Sequence, residues 1–136
     1  MRVFLDTNVL VSAFASRGLC AEVLELVLLD HDPVVGRNVL RELDKALREK
    51  VKLPAVRSAE IIDFVASEAI GVVDKAAPAN ANVDRADALV LGEALAVEAQ
   101  LFVTGDAALL RLATVDALEI VSPRRFWEIL RAQRQS

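Results

Sequence analysis

Apolar and polar positions along the chain follow two rhythms, short apolar runs and longer stretches with helical spacing. The short runs predict strands at residues 2–5, 33–36, 71–74, 101–104 and 118–121. Helical spacing predicts helices at about 8–15, 19–30, 55–69, 85–98 and 107–113, another that Asn38 caps and that ends before Pro54, and a last one opened by Ser122 and Pro123. Strands that alternate with helices are typical of a parallel sheet covered by helices. The pattern predicts a three-layer α/β/α sandwich with a central five-stranded parallel sheet.

The composition predicts one such domain over residues 1–136. Of the 136 residues, 54% are apolar and 26% are charged, which is enough for one compact core and too little for two ordinary domains. No apolar run approaches the roughly 18 residues of a membrane span, and no signal peptide is visible, so we expect a cytoplasmic protein without membrane contact. One cysteine, Cys20, and one histidine, His31, exclude an internal disulfide and a zinc site of the usual nitrogen and sulfur type.

The net charge of −4 argues against a protein that binds nucleic acid over its whole surface. Local binding stays possible, because basic residues form one group near residues 41–52 and another near the C-terminus. Members of these groups could contact phosphates, although solvated helix faces explain them at least as well. The candidates are Arg41, Lys45, Arg48, Lys50, Lys52, Arg124, Arg125, Arg131 and Arg134.

Two predicted strands are followed by acids at the edge where an open parallel sheet binds ligands. Asp6 follows the first strand and Asp106 follows the fourth, and the carboxyl ends of parallel strands border the ligand crevice. Each acid alone is explained equally well as the cap of the next helix, where aspartate is common. The choice between these explanations depends on the other acids.

Asp87 is the acid that a purely structural explanation fits least well. Apolar residues follow it three, four and seven positions later, so it lies on the apolar face of its helix. An unpaired buried carboxylate costs several kcal/mol, which predicts a cation, a hydrogen-bond partner or a raised pKa. The positive end of the helix relieves part of this cost. Asp84 is the more ordinary capping or loop residue, and Glu42 lies at the edge of the apolar stripe of its helix.

Four segments, taken in order, resemble a known family. They are "FLDTNVLVSA", "NVLREL" with Glu42, "DRADALVLGEAL" and "LFVTGDAALL". The series resembles the PIN-domain family of metal-dependent nucleases, and particularly the VapC-like toxin components of bacterial toxin–antitoxin pairs. The resemblance implies the strand order 3-2-1-4-5, which brings Asp6 and Asp106 to adjacent strands. It further implies catalytic and metal-binding roles for Asp6, Glu42, Asp87 and Asp106, with Asn8, Thr104 and Asp84 in support.

Such an acidic centre has a plain electrostatic requirement. Carboxylates a few ångströms apart repel and cannot all stay ionised, whereas Mg²⁺ or Mn²⁺ neutralises them and favours oxygen ligands. The resemblance implies a Mg²⁺- or Mn²⁺-dependent endoribonuclease that leaves 3′-hydroxyl and 5′-phosphate ends, an antitoxin protein as partner, and a homodimer in which Trp127 could lie at an interface.

Two other functions are alternatives to this prediction. One is a non-catalytic PIN-like RNA-binding or assembly module that holds a structural cation. The other is a phosphotransfer domain with Asp6 as nucleophile. The second is disfavoured, because Asn8 stands where dehalogenase-type phosphatases have another aspartate.

Overall fold

Strands and helices alternate along the chain, as the sequence predicts. The computed structural model describes residues 1–135. The strands are β1 (Arg2–Leu5), β2 (Asp32–Gly36), β3 (Gly71–Val73), β4 (Leu101–Val103), β5 (Thr114–Val115) and β6 (Leu118–Val121). The helices are α1 (Thr7–Ala15), α2 (Leu19–Asp30), α3 (Arg37–Glu49), α4 (Ala55–Glu68), α5 (Arg85–Ala96), α6 (Ala107–Leu110) and α7 (Pro123–Gln135). Within residues 1–135, no helix is long and apolar enough to cross a bilayer.

A single sheet contains the strands in the order β3-β2-β1-β4-β6-β5. The five predicted strands pair in parallel, and because β6 is the fifth of them, their order is the expected 3-2-1-4-5. In the central pair, Leu5 of β1 lies opposite Val103 of β4. The residues that follow these two strands therefore emerge side by side at one edge of the sheet. The predicted fold class is confirmed.

The sheet has one strand that the sequence pattern does not predict. The expected helix at 107–113 is too long, because α6 ends at Leu110 and Ala113 has a φ of 62°. The chain then forms β5, which pairs antiparallel with β6 across a two-residue turn. Asp116 in this turn has a φ of 52°, which tight hairpin turns require and which aspartate tolerates better than most residues. No glycine or asparagine marks the turn in the sequence.

The start of α3 also differs from the prediction. Asn38 does not cap the helix, because α3 begins at Arg37 after Gly36, which supplies no side-chain cap. The Asn38 side-chain oxygen instead accepts a hydrogen bond from Arg41 at 3.3 Å. The apolar stripe is confirmed in its main members, since Val39, Leu40, Leu43 and Leu47 are buried. Glu42 therefore lies on the exposed side of the helix, as its position beside the stripe predicts.

Aromatic side chains of the two central strands pack together in the core. Phe4 of β1 and Phe102 of β4 are fully buried, and their rings stack with centroids 5.3 Å apart. Burial of one such side chain contributes about 1.5–3 kcal/mol to stability. Helix α1 packs on α2 and α3, and α5 packs on β2 and α3. The ends of β1 and β4 are thus fixed against each other, together with the residues that follow them.

Candidate active site

Asp6 lies directly after β1 and is 7% exposed. It is the N-cap of α1, and its Oδ1 accepts a hydrogen bond from the Thr7 backbone N–H at 2.8 Å. Its Oδ2 accepts from the Thr104 hydroxyl at 2.8 Å and from the Asn8 amide at 3.1 Å. Burial raises the pKa of Asp6, and the hydrogen bonds from Thr104 and Thr7 offset part of that rise. The carboxylate is therefore both a helix cap and a member of a polar cluster.

Thr104 and Asn8 join the ends of the two central strands. Thr104 is fully buried, and its hydroxyl oxygen accepts from the Asp106 backbone N–H at 3.0 Å. The Asn8 amide nitrogen lies 3.3 Å from that oxygen, and the Asn8 side-chain oxygen accepts from the Gly105 backbone N–H at 2.9 Å. Asn8 and Thr104, two of the three residues implied as support, are therefore in direct contact with Asp6.

Asp106 follows β4 and is the N-cap of α6. Its Oδ1 accepts from the backbone N–H of Ala108 at 2.8 Å and of Leu109 at 3.4 Å. Both capping bonds use the same oxygen, so Oδ2 is not needed for the cap. Asp106, like Asp6, is therefore both a helix cap and a member of the acidic group.

Asp84 and Asp87 have different functions at the start of α5. Asp84 is the N-cap, and its Oδ1 accepts from the Asp87 backbone N–H at 2.8 Å. Asp87 is half-buried, and its pKa is raised to about 6, first by burial and then by the negative charges of other acids. In decreasing order of effect these acids are Asp84, Asp106, Asp6 and Glu42. Charge repulsion weakens with distance, so these acids are near enough to Asp87 to act on its ionisation.

Glu42 reaches the same place from α3. Its Oε2 accepts a hydrogen bond from the Thr7 hydroxyl at 2.7 Å. Thr7 thus holds Glu42 with its side chain and Asp6 with its backbone. The sequence interpretation did not single out Thr7, although Thr7 directly follows Asp6 in "LDTN" and its hydroxyl can donate a hydrogen bond.

The four acids line one open cavity of about 370 Å³, which we call the acidic cleft. Its lining residues come from α1, α3 and the starts of α5 and α6. They are Asp6, Thr7, Asn8, Val11, Ser12, Glu42, Ala46, Lys50, Asp87 and Asp106. The fold therefore brings together all four residues that the resemblance implies as an acidic centre, whereas Asp84 stays outside this lining as the cap of α5.

The chemistry of the acidic cleft fits a hard divalent cation. Its acids offer carboxylate oxygens, which Mg²⁺ and Mn²⁺ favour. Burial and the negative charges of neighbouring acids raise the pKa of Asp87, and a bound cation would oppose both effects. Within residues 1–135, no three acidic, histidine or cysteine side chains form a ready-made ligand set. Water or substrate oxygens would therefore complete the coordination of an ion held there, as is usual for Mg²⁺.

Lys50 is the basic residue that the structure places in the acidic cleft. Other proposed phosphate contacts have different neighbours. These are Arg48 with Asp44 at 3.0 Å, Arg124 with Glu128 at 3.5 Å, Arg134 with Asp30 at 3.0 Å, and Arg131 at 4.7 Å from the Trp127 ring centre. Surface ion pairs of this kind contribute little to stability. Of the residues proposed from sequence, Lys50 is thus the one beside the acids.

Glu93 is a second residue that the sequence interpretation missed. It lies on α5, is 1% exposed, and its Oε2 accepts from the Asn38 backbone N–H at 2.9 Å. One signal was present in the sequence. The positions three and four residues away on the same helix are all apolar, so no basic neighbour could pair with it. An acid without a partner on its own helix needs one elsewhere when it is buried.

Comparisons with known proteins add two findings. A model of the PIN domain matches residues 2–108. VapBC2 from Rickettsia felis, solved bound to a DNA fragment from its promoter, is similar with a TM-score of 0.65 and 18% identity, over 90% of this chain and 98% of that one. VapBC-1 from nontypeable Haemophilus influenzae is similar with a TM-score of 0.63 and 15% identity, over 91% of this chain and 99% of that one. No curated protein matches the sequence significantly.

Proposed function

Because the chain belongs to the PIN-domain family, we propose that it is a Mg²⁺- or Mn²⁺-dependent endoribonuclease that acts through the acidic cleft. One observation carries the proposal. Asp6, Glu42, Asp87 and Asp106 come from four separate elements and line the same cavity. A structural explanation accounts for Asp6 and Asp106 as helix caps and for Glu42 as a surface residue. It does not account for the half-buried Asp87 or for the meeting of all four acids at one place.

The residues of the cleft have distinct tasks in this proposal. Asp6 and Asp106 would be the most direct ligands of the cation, and Asp87 a direct or water-bridged one. Glu42 would be an outer ligand or the base that orients a water molecule. Thr104 and Asn8 hold Oδ2 of Asp6, and the Thr7 hydroxyl holds Oε2 of Glu42. These bonds limit the rotation of both carboxylates before substrate arrives, which lowers the cost of ordering them.

When bound, the cation supplies Lewis-acid polarisation of the phosphate and lowers the pKa of a water molecule. The chain's own contribution is to exclude other orientations of the acids and to hold the substrate. Lys50 offers a positive charge to an RNA phosphate at the edge of the cleft. The expected products carry a 3′-hydroxyl and a 5′-phosphate.

A cleavage assay with single-stranded and structured RNA tests the proposal. We expect cleavage with Mn²⁺ or Mg²⁺, and loss by about 100-fold or more in Asp6→Asn and Asp87→Asn, because several kcal/mol of charge stabilisation are removed. Asp63→Asn is the matched control, since it removes the same charge from an exposed position on α4. Circular dichroism checks that every variant is folded. Full cleavage by both site variants would refute the assignment, and Mn²⁺ binding without turnover would favour a non-catalytic module.

We further propose that the protein is the toxin of a toxin–antitoxin pair and that its partner is an antitoxin protein. The resemblance of its motifs to VapC-like toxins and the similarity of its fold to two VapBC proteins support this. Induced expression of the wild type should arrest growth, whereas Asp6→Asn should not. Co-expression of a small DNA-binding protein encoded beside this gene should relieve the arrest. We also propose that the chain forms a homodimer, and sedimentation of the full chain measures its mass in solution.

A further inference from the structure

Glu93 connects two helices that each carry an acid of the cleft. It belongs to α5, and its Oε2 accepts from the Asn38 backbone N–H of α3 at 2.9 Å, across 55 positions of sequence. The Val39 backbone N–H also lowers the pKa of this carboxylate, an effect second to that of the Asn38 N–H among the backbone groups. Both N–H groups are in the first turn of α3, where no carbonyl of the same helix can accept them. Glu93 thus supplies the N-terminal cap of α3 from another helix.

The start of α3 is shaped to receive this carboxylate. Gly36 is the N-cap residue and supplies no side-chain hydrogen bond. A Cβ built on Gly36 would overlap the Glu93 carboxyl group. The backbone of Gly36 has a φ of −116°, so another residue could adopt its conformation. A side chain at position 36 would therefore have to displace the Glu93 carboxyl group, whereas the backbone angle would not oppose it.

The two helices joined in this way carry Glu42 and Asp87. Glu42 is on α3, three residues after Val39, and Asp87 is on α5, six residues before Glu93. We propose that Glu93 is a positioning residue that fixes α3 against α5 and thereby sets the separation of Glu42 and Asp87 across the acidic cleft. The effect on the cation and on cleavage rests on the proposed function, whereas the cap itself does not.

A residue that only stabilised the core at position 93 would be apolar. Glu93 is 1% exposed, and within the described residues its Oε1 has no hydrogen-bond partner. Burial of a carboxylate is costly, and an unpaired buried oxygen adds to that cost. Leucine would fill a similar volume without either cost, but it would leave the Asn38 amide of α3 uncapped. The directed bond to α3 is thus what Glu93 provides and leucine does not.

Three variants separate positioning from general stability. Glu93→Leu removes the cap, Glu93→Gln keeps one acceptor oxygen, and Ser122→Ala removes a cap from α7, where Ser122 accepts from Arg125 N–H at 3.0 Å. We expect Glu93→Leu to speed hydrogen exchange at the Asn38 and Val39 amides by about tenfold or more. It should also weaken Mn²⁺ binding, measured by calorimetry, by about tenfold. Glu93→Gln should keep most of the amide protection and most of the Mn²⁺ affinity. Ser122→Ala should change neither the amide exchange nor the Mn²⁺ affinity.

Gly36→Ala provides a second route to the same test. The new Cβ should displace the Glu93 carboxyl group and weaken Mn²⁺ binding in the wild-type background, but have little effect in Glu93→Ala, where nothing is displaced. Unchanged amide exchange in Glu93→Leu would refute the cap. Faster exchange with unchanged Mn²⁺ affinity, or additive effects of Gly36→Ala, would refute positioning. A wild-type protein that neither binds Mn²⁺ nor cleaves RNA would refute the proposed function and leave the cap result intact.

Discussion

The hydroxyl of Thr104 donates a hydrogen bond of 2.8 Å to Oδ2 of Asp6, although the two residues are 98 positions apart. Thr104 is fully buried beneath the acidic cleft, and the same hydroxyl oxygen accepts from the Asp106 backbone N–H at 3.0 Å. One side chain therefore holds the acids that follow the two central strands in a fixed relation. Its removal should disturb both acids at once.

We expect Thr104→Val to destabilise the protein by about 1–3 kcal/mol, because Oδ2 of Asp6 loses one of its two donors and the Asp106 N–H loses its acceptor, while the size of the side chain is kept. The pKa of Asp6 should rise further, since the Thr104 bond lowers it. Urea unfolding measures the stability, and Mn²⁺-dependent cleavage measures the site. Thr114→Val is the matched control on the exposed part of β5, and equal losses in the two variants would contradict the prediction.

Asp87→Asn should stabilise the protein in the absence of divalent cations at about pH 8. The folded-state pKa of Asp87 is about 6, whereas the ordinary value is 3.8. A raised pKa favours folding below about pH 4, and this contribution is lost as the pH rises through 6. The variant should therefore gain stability at high pH and little near pH 4. Thermal unfolding in chelator at both pH values measures the difference, and a pH-independent gain would contradict it.

Mn²⁺ affinity should fall by up to about tenfold per pH unit below pH 6, because a protonated carboxyl is a poor ligand. Calorimetric titrations across this range measure the dependence. Asp84→Asn should shift the dependence to lower pH, since Asp84 is the acid whose charge raises the pKa of Asp87 most. Asparagine still caps a helix well, so α5 should persist. An unchanged midpoint would show that Asp84 does not act on this ionisation.

Lys50→Ala should weaken RNA binding and make it less dependent on salt. Loss of one phosphate contact lowers the slope of log affinity against log salt by about 0.7 for single strands. KM should therefore rise more than kcat falls. Lys45→Ala is the control, because Lys45 is exposed on α3, upstream of Lys50, but lies outside the residues that line the cleft. Equal salt slopes for both variants would contradict a specific contact by Lys50.

Gly92→Ala should destabilise the fold by about 1–3 kcal/mol through overpacking. A Cβ at this position would overlap the backbone oxygen of Ala77, in the segment before α5. That segment is anchored by a 2.8 Å bond from the Ala79 N–H to the Ala88 carbonyl. Gly71→Ala is the control, since no atom lies within 4 Å of the added Cβ. Chemical denaturation measures the free energy of unfolding of both variants. A smaller loss in Gly92→Ala than in Gly71→Ala would contradict this packing.

Much of the fold could be predicted because its signals are local. Alternation of apolar runs and helical spacing identified the five parallel strands, and resemblance to the PIN family supplied their order. The β5–β6 hairpin was missed because its turn at Asp116 lacks the glycine or asparagine that usually marks one. The cap of α3 was misplaced for a different reason. Asn38 is a good capping residue locally, but α3 begins one residue earlier, so the Asn38 backbone N–H lies in the first turn and is itself capped by Glu93.

By itself the sequence determined which residues are acids, which strands they follow and which helix face each occupies, since these depend on order and periodicity alone. Only the tertiary structure decided that Thr7 holds Glu42, that Lys50 stands among the acids and that Glu93 bridges two helices. These contacts join residues dozens of positions apart, and no local pattern records them. They arise because packing of the sheet and helices brings distant side chains together, and burial then makes each unpaired polar atom costly.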